Sequence, residues 1–317
     1  MIVDLPATST GAISQTLIDL RQSGGAVALG RVLTLVIVTD DTHVEEPIQA
    51  ANDASREHPC RIVVLAAGNP RAATRLDGQV RVGGDAGASE VIVLRSYGRL
   101  VGHLDALAVP FLLSDAPVVA WWPTGAAPAV PADDPVGRLA GRRITDAQAA
   151  RRPRAALQAR RAGYRPGDTD LAWTRVTNWR GVLAAALDQP PVEEIRSASV
   201  TGGSDSPSAD LLAAWLAVTL GVPVRRGRAP AGAGLVSVRL QRSSGPLDLV
   251  RSDGRVATLS QPGWPDRHMA LPRRTTRECL AEELRRLDPD EVFAAALLDG
   301  LPVVTGQARE TTTGQES

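Results

Sequence analysis

The stretch RVLTLVIVTD, residues 31–40, decides the fold. It is almost wholly apolar and β-branched, the pattern of a strand buried on both faces rather than of one that alternates between core and water. Two further runs share this character, RIVVLAA at 61–67 and EVIVLRSYG at 90–98. Between the first two, residues 42–57 are polar and helix-compatible, which makes a β-α-β unit. Upstream, residues 10–22 place Ile13, Leu17 and Leu20 on one helical face, with Gly24-Gly25 as the stop. Downstream, VRVG at 80–83 is a weaker strand, GRLVGHLDALAVPFLL at 98–113 reads as a helix, and PVVAWWP at 117–123 as another buried strand. The expectation for residues 1–160 is an α/β domain, a mostly parallel sheet with helices on both faces.

A break follows. TGAAPAVPADDP at 124–135 is too rich in Pro and Ala to continue an element, 148–162 is an arginine- and alanine-rich helix, and GYRPGD makes a turn. The domain boundary is expected between about 150 and 167, giving a second domain over 161–304 and a polar, disordered tail over 305–317. The second domain opens with Asp168 as N-cap of a helix over 169–187. IRSASVTG at 195–202 alternates like a strand, and Pro207-Ser208 begin a helix carrying Leu211, Leu212, Trp215, Leu216 and Leu220. Four short alternating segments follow, with turns at Gly245-Pro246 and Asp253-Gly254, so this α/β domain has a mixed or antiparallel sheet with flanking helices. Two helices close it. Thr275 and Glu278 form a capping box, and Asp288-Pro289-Asp290-Glu291 repeats the device with Pro at the first helical position.

Composition excludes several chemistries. The 35 basic and 35 acidic residues cancel, so the basic excess of a nucleic-acid or anionic-membrane binder is missing. Every basic residue is arginine, which removes Schiff-base, P-loop and general-base lysines. The start lacks the basic and apolar regions of a signal peptide, and no apolar run is long enough to span a bilayer, so a cytoplasmic protein is expected. Cys60 and Cys279 belong to no CxxC unit and read as buried thiols. The four histidines, His43, His58, His103 and His268, show no zinc spacing, and neither a metal nor a cofactor is expected.

Two segments are candidates for function. The turn TGGSDSPSAD at 201–210 lies between a strand and a helix, where α/β proteins bind anions; Thr201, Gly202, Gly203, Ser204 and Ser206 form its candidate anion site, with a sugar phosphate as ligand. AAGNPRA at 66–72 is a weaker candidate through Arg71. The other segment is YRPGDTDLAWTRVTNWR at 164–180, which holds three of the ten aromatic residues in the chain. Trp173, Arg175, Trp179 and Arg180 have the composition of an interaction hot spot, and equally that of a seam between two domains.

These blocks resemble the OpcA family, the glucose-6-phosphate dehydrogenase assembly proteins of actinobacteria and cyanobacteria. The resemblance rests on HPCRIVVL (58–65), DAPVVAWWP (115–123), RRITDA (142–147), the 164–180 run, SPSADLLAAWLA (206–217) and ECLAEELRRLDPDEVF (278–293). It implies a non-catalytic partner that assembles or allosterically activates glucose-6-phosphate dehydrogenase in the oxidative pentose phosphate pathway, with no catalytic residues to carry over. A sugar-phosphate-binding regulator or a pathway enzyme are the alternatives. Under the implied role, Trp173, Arg175, Trp179 and Arg180 are the first candidate contact with the dehydrogenase, and Trp121 and Trp122 the second.

Overall fold

A computed structural model describes residues 1–23, 32–83, 90–189 and 192–306. The chain forms two compact units. The first takes in Met1–Arg151, Gln158–Leu171 and Thr275–Pro289, and the second Arg152–Leu157, Ala172–Arg274 and the residues from Asp290 on.

The first unit is built on eight strands: β1 (Ile2–Leu5), β2 (Leu33–Asp40), β3 (Cys60–Ala67), β4 (Arg75–Arg81), β5 (Glu90–Tyr97), β6 (Val118–Trp121), β7 (Arg142–Thr145) and β8 (Asp168–Asp170). Their order across the sheet is β1-β4-β5-β3-β2-β6-β7-β8. From β5 to β8 every pairing is parallel, and β1 and β4 add an antiparallel edge. Numbered by their place in the chain, the parallel strands run 3-2-1-4-5-6, so chain direction across the sheet reverses between β2 and β6.

The apolar strands bury both faces, as their unbroken runs require. Leu35, Ile37, Ile62, Val64, Val91 and Val93 pack with Ile48 and Ala51 of α2 (Glu45–Ser55) and with Cys279, Leu280 and Leu284 of the C-terminal segment. The intervening residues Val36, Val63, Leu65, Ile92 and Leu94 pack with Ile13 and Leu17 of α1 (Thr10–Ser23) and with Leu107 and Phe111. At about 25 cal/mol per Å² of apolar surface, two such layers are the main favourable term in this unit.

Several elements depart from the sequence reading. The weak strand at 80–83 is the end of β4, which begins at Arg75. Gly78 hides it from an apolar pattern, and it lets Ile13 pack close, since a Cβ there would lie 2.5 Å from the Ile13 side chain and force it to shift. The helix expected over 98–113 is reduced to α3 (Leu104–Ala108) between 3-10 turns, since Pro110 cannot continue it. Asp168 is not a helix cap. Its carboxylate accepts from Arg143 Nε and from the Arg165 amide at 2.8 Å. Asp170 is fully buried and accepts from the Thr145 hydroxyl at 2.7 Å and the Ala147 amide at 2.9 Å, which holds 168–170 extended beside β7. After α4 (Pro153–Gly163), the long helix expected over 169–187 is therefore β8, then α5 (Leu171–Thr174), then α6 (Thr177–Leu187). The Gly24-Gly25 stop and most of the tail lie outside the described residues.

The second unit carries a seven-stranded mixed sheet of β9 (Ser197–Gly203), β10 (Val224–Ala229), β11 (Leu235–Arg242), β12 (Gly245–Val250), β13 (Val256–Ser260), β14 (Arg267–Ala270) and β15 (Thr305–Gly306), in the order β14-β13-β12-β11-β9-β10-β15. β11 to β14 form the expected antiparallel meander, while β10, which the sequence reading missed, is parallel to β9. The first turn of the meander lies at Ser243-Ser244, one step before the expected Gly245-Pro246. Helix α7 (Pro207–Leu220) packs on β9 and β10, and Gly221 ends it in the left-handed conformation at φ +65°.

Helix α8 (Thr276–Arg285) has the predicted capping box, with the Thr275 hydroxyl accepting from the Glu278 amide and the Glu278 carboxylate accepting from the Thr275 amide. It lies against α2 in the first unit although it follows the meander in sequence. The next helix, α9 (Glu291–Ala295), is capped by Asp290, whose Oδ1 accepts from the Phe293 amide at 2.8 Å; Pro289 precedes the cap instead of occupying the first helical position.

Candidate functional site

The arginine-tryptophan block is internal to the structure. Trp173 and Trp179 are buried. The Trp173 indole donates to Asp290, its ring lies 5.9 Å from that of Phe293, and the Arg180 guanidinium stacks over it at 3.7 Å. Trp179 lies beneath Arg251, 5.0 Å away. Burial holds the Arg251 guanidinium down to about 10, and it donates to the Leu235 and Leu271 carbonyls. Trp121 and Trp122 are also buried, on opposite faces of the first sheet. An interface role for these four rings would need the chain to open, so of the six residues singled out only the half-buried Arg175 and Arg180 can meet a partner directly.

Among the six tryptophans, Trp264 is the one with large exposure, at 50%. It lies in the turn between β13 and β14, flanked by exposed Pro262, Gly263 and Pro265. Nothing periodic marks it in the sequence; its one signal is a lone tryptophan between prolines, in a segment too short to have a core of its own.

The turn at 201–206 is committed to its own fold. The Gly203, Ser204 and Ser206 amides donate to the Gly234, Ala229 and Gly203 carbonyls. The Ser206 hydroxyl caps α7 by accepting from the Ala209 amide. Beside it, Asp210 is buried and paired with Arg226 and Arg154, both at 2.8 Å, while Arg226 also donates to the Gly202 and Gly203 carbonyls. Thr201, Gly202, Gly203, Ser204 and Ser206 are thus brought together, but with the Gly203, Ser204 and Ser206 amides spent on carbonyls and two carboxylates, Asp205 and Asp210, next to them. That chemistry disfavours an anion.

A different concavity occupies the place where such folds bind ligands. The carboxyl ends of β2, β6 and β7 are adjacent, with Ile37, Trp121 and Ile144 in one register row. Beyond this row opens a recess of about 540 Å³, within the range of small-molecule sites. Its lining includes Asp40 from the end of β2, Glu46 from the first turn of α2, Asp146 after β7, Thr124, Thr276 and Trp121. Gly125 shapes one wall, because a Cβ there would come within 2.6 Å of the Ala150 backbone.

Asp40 is held ionised. The Thr42 hydroxyl, donating to Oδ1, is the main cause that brings its pKa down to about 2; His43 Nδ1 at 2.8 Å and the Thr42 amide at 2.9 Å add to the effect against partial burial. In a dinucleotide-binding sheet this turn would carry glycines whose amides face a pyrophosphate. Here it reads Thr39-Asp40-Asp41-Thr42-His43, without a glycine, and the first turn of α2 adds Glu45 and Glu46. The residues at the switch point therefore do not fit a dinucleotide pyrophosphate.

Among the described residues no group of three His, Cys, Asp or Glu side chains is placed to hold a metal ion. Nor is any described helix long and apolar enough to cross a membrane. Cys60 and Cys279 form no disulfide and lie in one buried cluster.

The class defined by this geometry is a doubly wound α/β unit of dinucleotide-binding strand order, without the phosphate-binding turn, joined to a mixed-sheet α+β unit. The chain belongs to the OpcA family: the models of the glucose-6-phosphate dehydrogenase subunit N-terminal domain and C-terminal domain match residues 51–162 and 166–297. No curated protein matches it by sequence. Among solved structures, a mutant of the 3-ketoreductase KijD10 from Actinomadura kijaniata is similar at 14% identity and TM-score 0.49, over 87% of this chain and 100% of that one. Glucose-6-phosphate 1-dehydrogenase from Mycobacterium avium is similar at 12% identity and TM-score 0.41, over 87% and 91%. An aldose-aldose oxidoreductase from Caulobacter crescentus is similar at 12% identity and TM-score 0.41, over 84% and 95%. The fold assignment rests on strand order rather than on these distant likenesses.

Proposed function

We propose that this protein is a non-catalytic assembly partner and allosteric activator of glucose-6-phosphate dehydrogenase, acting in the cytoplasm on the first step of the oxidative pentose phosphate pathway. The observation that carries the reading is the match of two consecutive glucose-6-phosphate dehydrogenase subunit domains along the chain. The switch point supports the non-catalytic part, because carboxylates stand where a hydride-transfer enzyme of this fold would hold its dinucleotide. Activation then works by linkage: a partner that binds the active state of the enzyme more tightly shifts its population by the ratio of the two affinities. Trp264, Arg175 and Arg180 are the residues we assign to the contact.

Co-purification of the full chain with glucose-6-phosphate dehydrogenase from the same organism, followed by assay of the dehydrogenase with and without it, tests this. A stable complex with raised dehydrogenase activity is the expected result. Turnover of glucose 6-phosphate by this chain alone would overturn the non-catalytic reading, and absence of a complex would overturn the partnership. Calorimetric binding of glucose 6-phosphate to the isolated chain, lost on Ser206→Ala, would favour the sugar-phosphate alternative.

A further inference from the structure

We propose that the recess at the switch point between β2 and β6 binds a neutral ligand bearing vicinal hydroxyls, of the size of a monosaccharide or a nucleoside. Two independent observations meet there. The first is the carboxylate lining, Asp40, Glu46 and Asp146, against a single basic side chain, His43, whose Nδ1 is taken up by Asp40 at 2.8 Å, and no arginine among the lining residues. The second is Trp121. Its side chain is fully buried and lines the recess, and its indole Nε1–H has no hydrogen-bond partner among the described residues. A buried donor left without an acceptor is destabilising, so an orphan on a residue that lines a cavity points to an acceptor supplied from outside the chain.

The chemistry of the ligand follows from which groups satisfy both features. Phosphates and carboxylates accept hydrogen bonds but meet like charge from the lining. Ammonium and guanidinium groups suit the carboxylates but offer nothing to an indole donor. A hydroxyl accepts from Nε1–H and donates to a carboxylate at once, and a vicinal pair does both with adjacent oxygens. Glu46 is exposed and makes no hydrogen bond or ion pair with the described residues, so its carboxylate is available as acceptor. Thr124 and Thr276 add hydroxyls that act as donor or acceptor. The site needs no dehydrogenase, so its test is separate from that of the partner reading.

The test uses the full chain with 15N-labelled tryptophan. The Trp121 indole resonance is assigned by its loss in Trp121→Phe, which keeps an aromatic ring and removes the N–H; should that variant not fold, through-space contacts to β2 assign it. D-Glucose and adenosine are titrated as neutral probes, and glucose 6-phosphate and AMP as their anionic counterparts. The expected result is a saturable shift of the Trp121 resonance with one or both neutral probes. Glucose alone marks a monosaccharide site and adenosine alone a nucleoside site. The phosphorylated counterpart should bind at least about fivefold more weakly, the factor that corresponds to roughly 1 kcal/mol of like-charge repulsion in a solvated site. Glu46→Gln, an exposed change, should narrow that gap. The proposal is overturned if neither neutral probe shifts the resonance saturably, or if the phosphorylated form binds more tightly than its neutral parent.

Discussion

Trp173 donates its indole Nε1–H to Asp290 Oδ2 over 2.8 Å, while Asp290 Oδ1 accepts the Phe293 amide at the start of α9. One carboxylate thus satisfies a buried ring and caps a helix. Asp290→Ala removes both. Loss of the cap costs about 1 kcal/mol and the stranded indole a further ~1–3 kcal/mol, so the second unit should lose about 2–4 kcal/mol. Asp290→Asn keeps a capping oxygen and should lose less. Denaturant unfolding followed by tryptophan fluorescence reads the difference, and equal losses for the two variants would argue against the double role.

The ion pair of Arg142 with Glu283 joins β7 to α8 within the first unit, with both side chains about 95% buried or more. Arg142 also donates to the Asp288 carbonyl at 2.8 Å. Glu283→Ala would leave a buried guanidinium without its counter-charge, a loss of about 3–5 kcal/mol. Replacing both partners with apolar residues, as in Arg142→Met with Glu283→Leu, should recover most of that. A double variant no more stable than Glu283→Ala would show that the pair does more than neutralise itself.

These charged elements also mark where the fold was legible and where it was not. β2, β3 and β5 are unbroken apolar runs because both of their faces are covered, and a run of that kind has few other readings. β7 and β8, with the sequences RRIT and DTD, bury charge instead. Their partners, Glu283 for Arg142 and Asp168 for Arg143, are far away in sequence, so no periodicity marks the strands. The same limit applied to the sites. Asp40 and Glu46 fall in a stretch that reads only as polar, and Trp121 gains its meaning from an indole nitrogen that only packing leaves without an acceptor. The tryptophans of the 164–180 run stand out in the sequence, which leaves a partner surface and a buried seam equally open; their burial depends on the distant Asp290, Phe293 and Arg251.

Asp40 supplies a pH prediction with a definite sign. Its folded pKa of about 2 lies below the ordinary 3.8, so the native state binds the proton less tightly than the unfolded state. Any stability it contributes is fully present above about pH 4 and is lost as the pH falls toward 2. The side chain is 43% exposed, and solvent screening keeps that contribution small. The direct measurement is an NMR titration of the Asp40 carboxyl. Its midpoint should lie near 2, and in Thr42→Val, which removes the main hydrogen bond to Oδ1, it should move up toward the ordinary carboxylate range. A midpoint unmoved by that change would assign the depression to His43 and the Thr42 amide instead.

Trp264 and Arg180 separate packing from partnership. Trp264 is half exposed, in a turn that Pro262 and Pro265 stiffen, so Trp264→Ala should change stability by no more than about 0.5 kcal/mol. If this turn meets the dehydrogenase as an aromatic anchor, the same change should cost about 2 kcal/mol of binding, close to a 30-fold rise in Kd. Arg180→Met removes the guanidinium from the face of Trp173 and should lower stability by about 0.5–2 kcal/mol whether or not a partner is present. Calorimetric unfolding and dehydrogenase binding, measured on both variants, give two independent readings. Loss of binding without loss of stability at Trp264 assigns the turn to the interface. Unchanged binding there, with binding lost at Arg180 beyond the small loss of folded protein, would move the contact to the exposed edge of the Arg175–Arg180 segment.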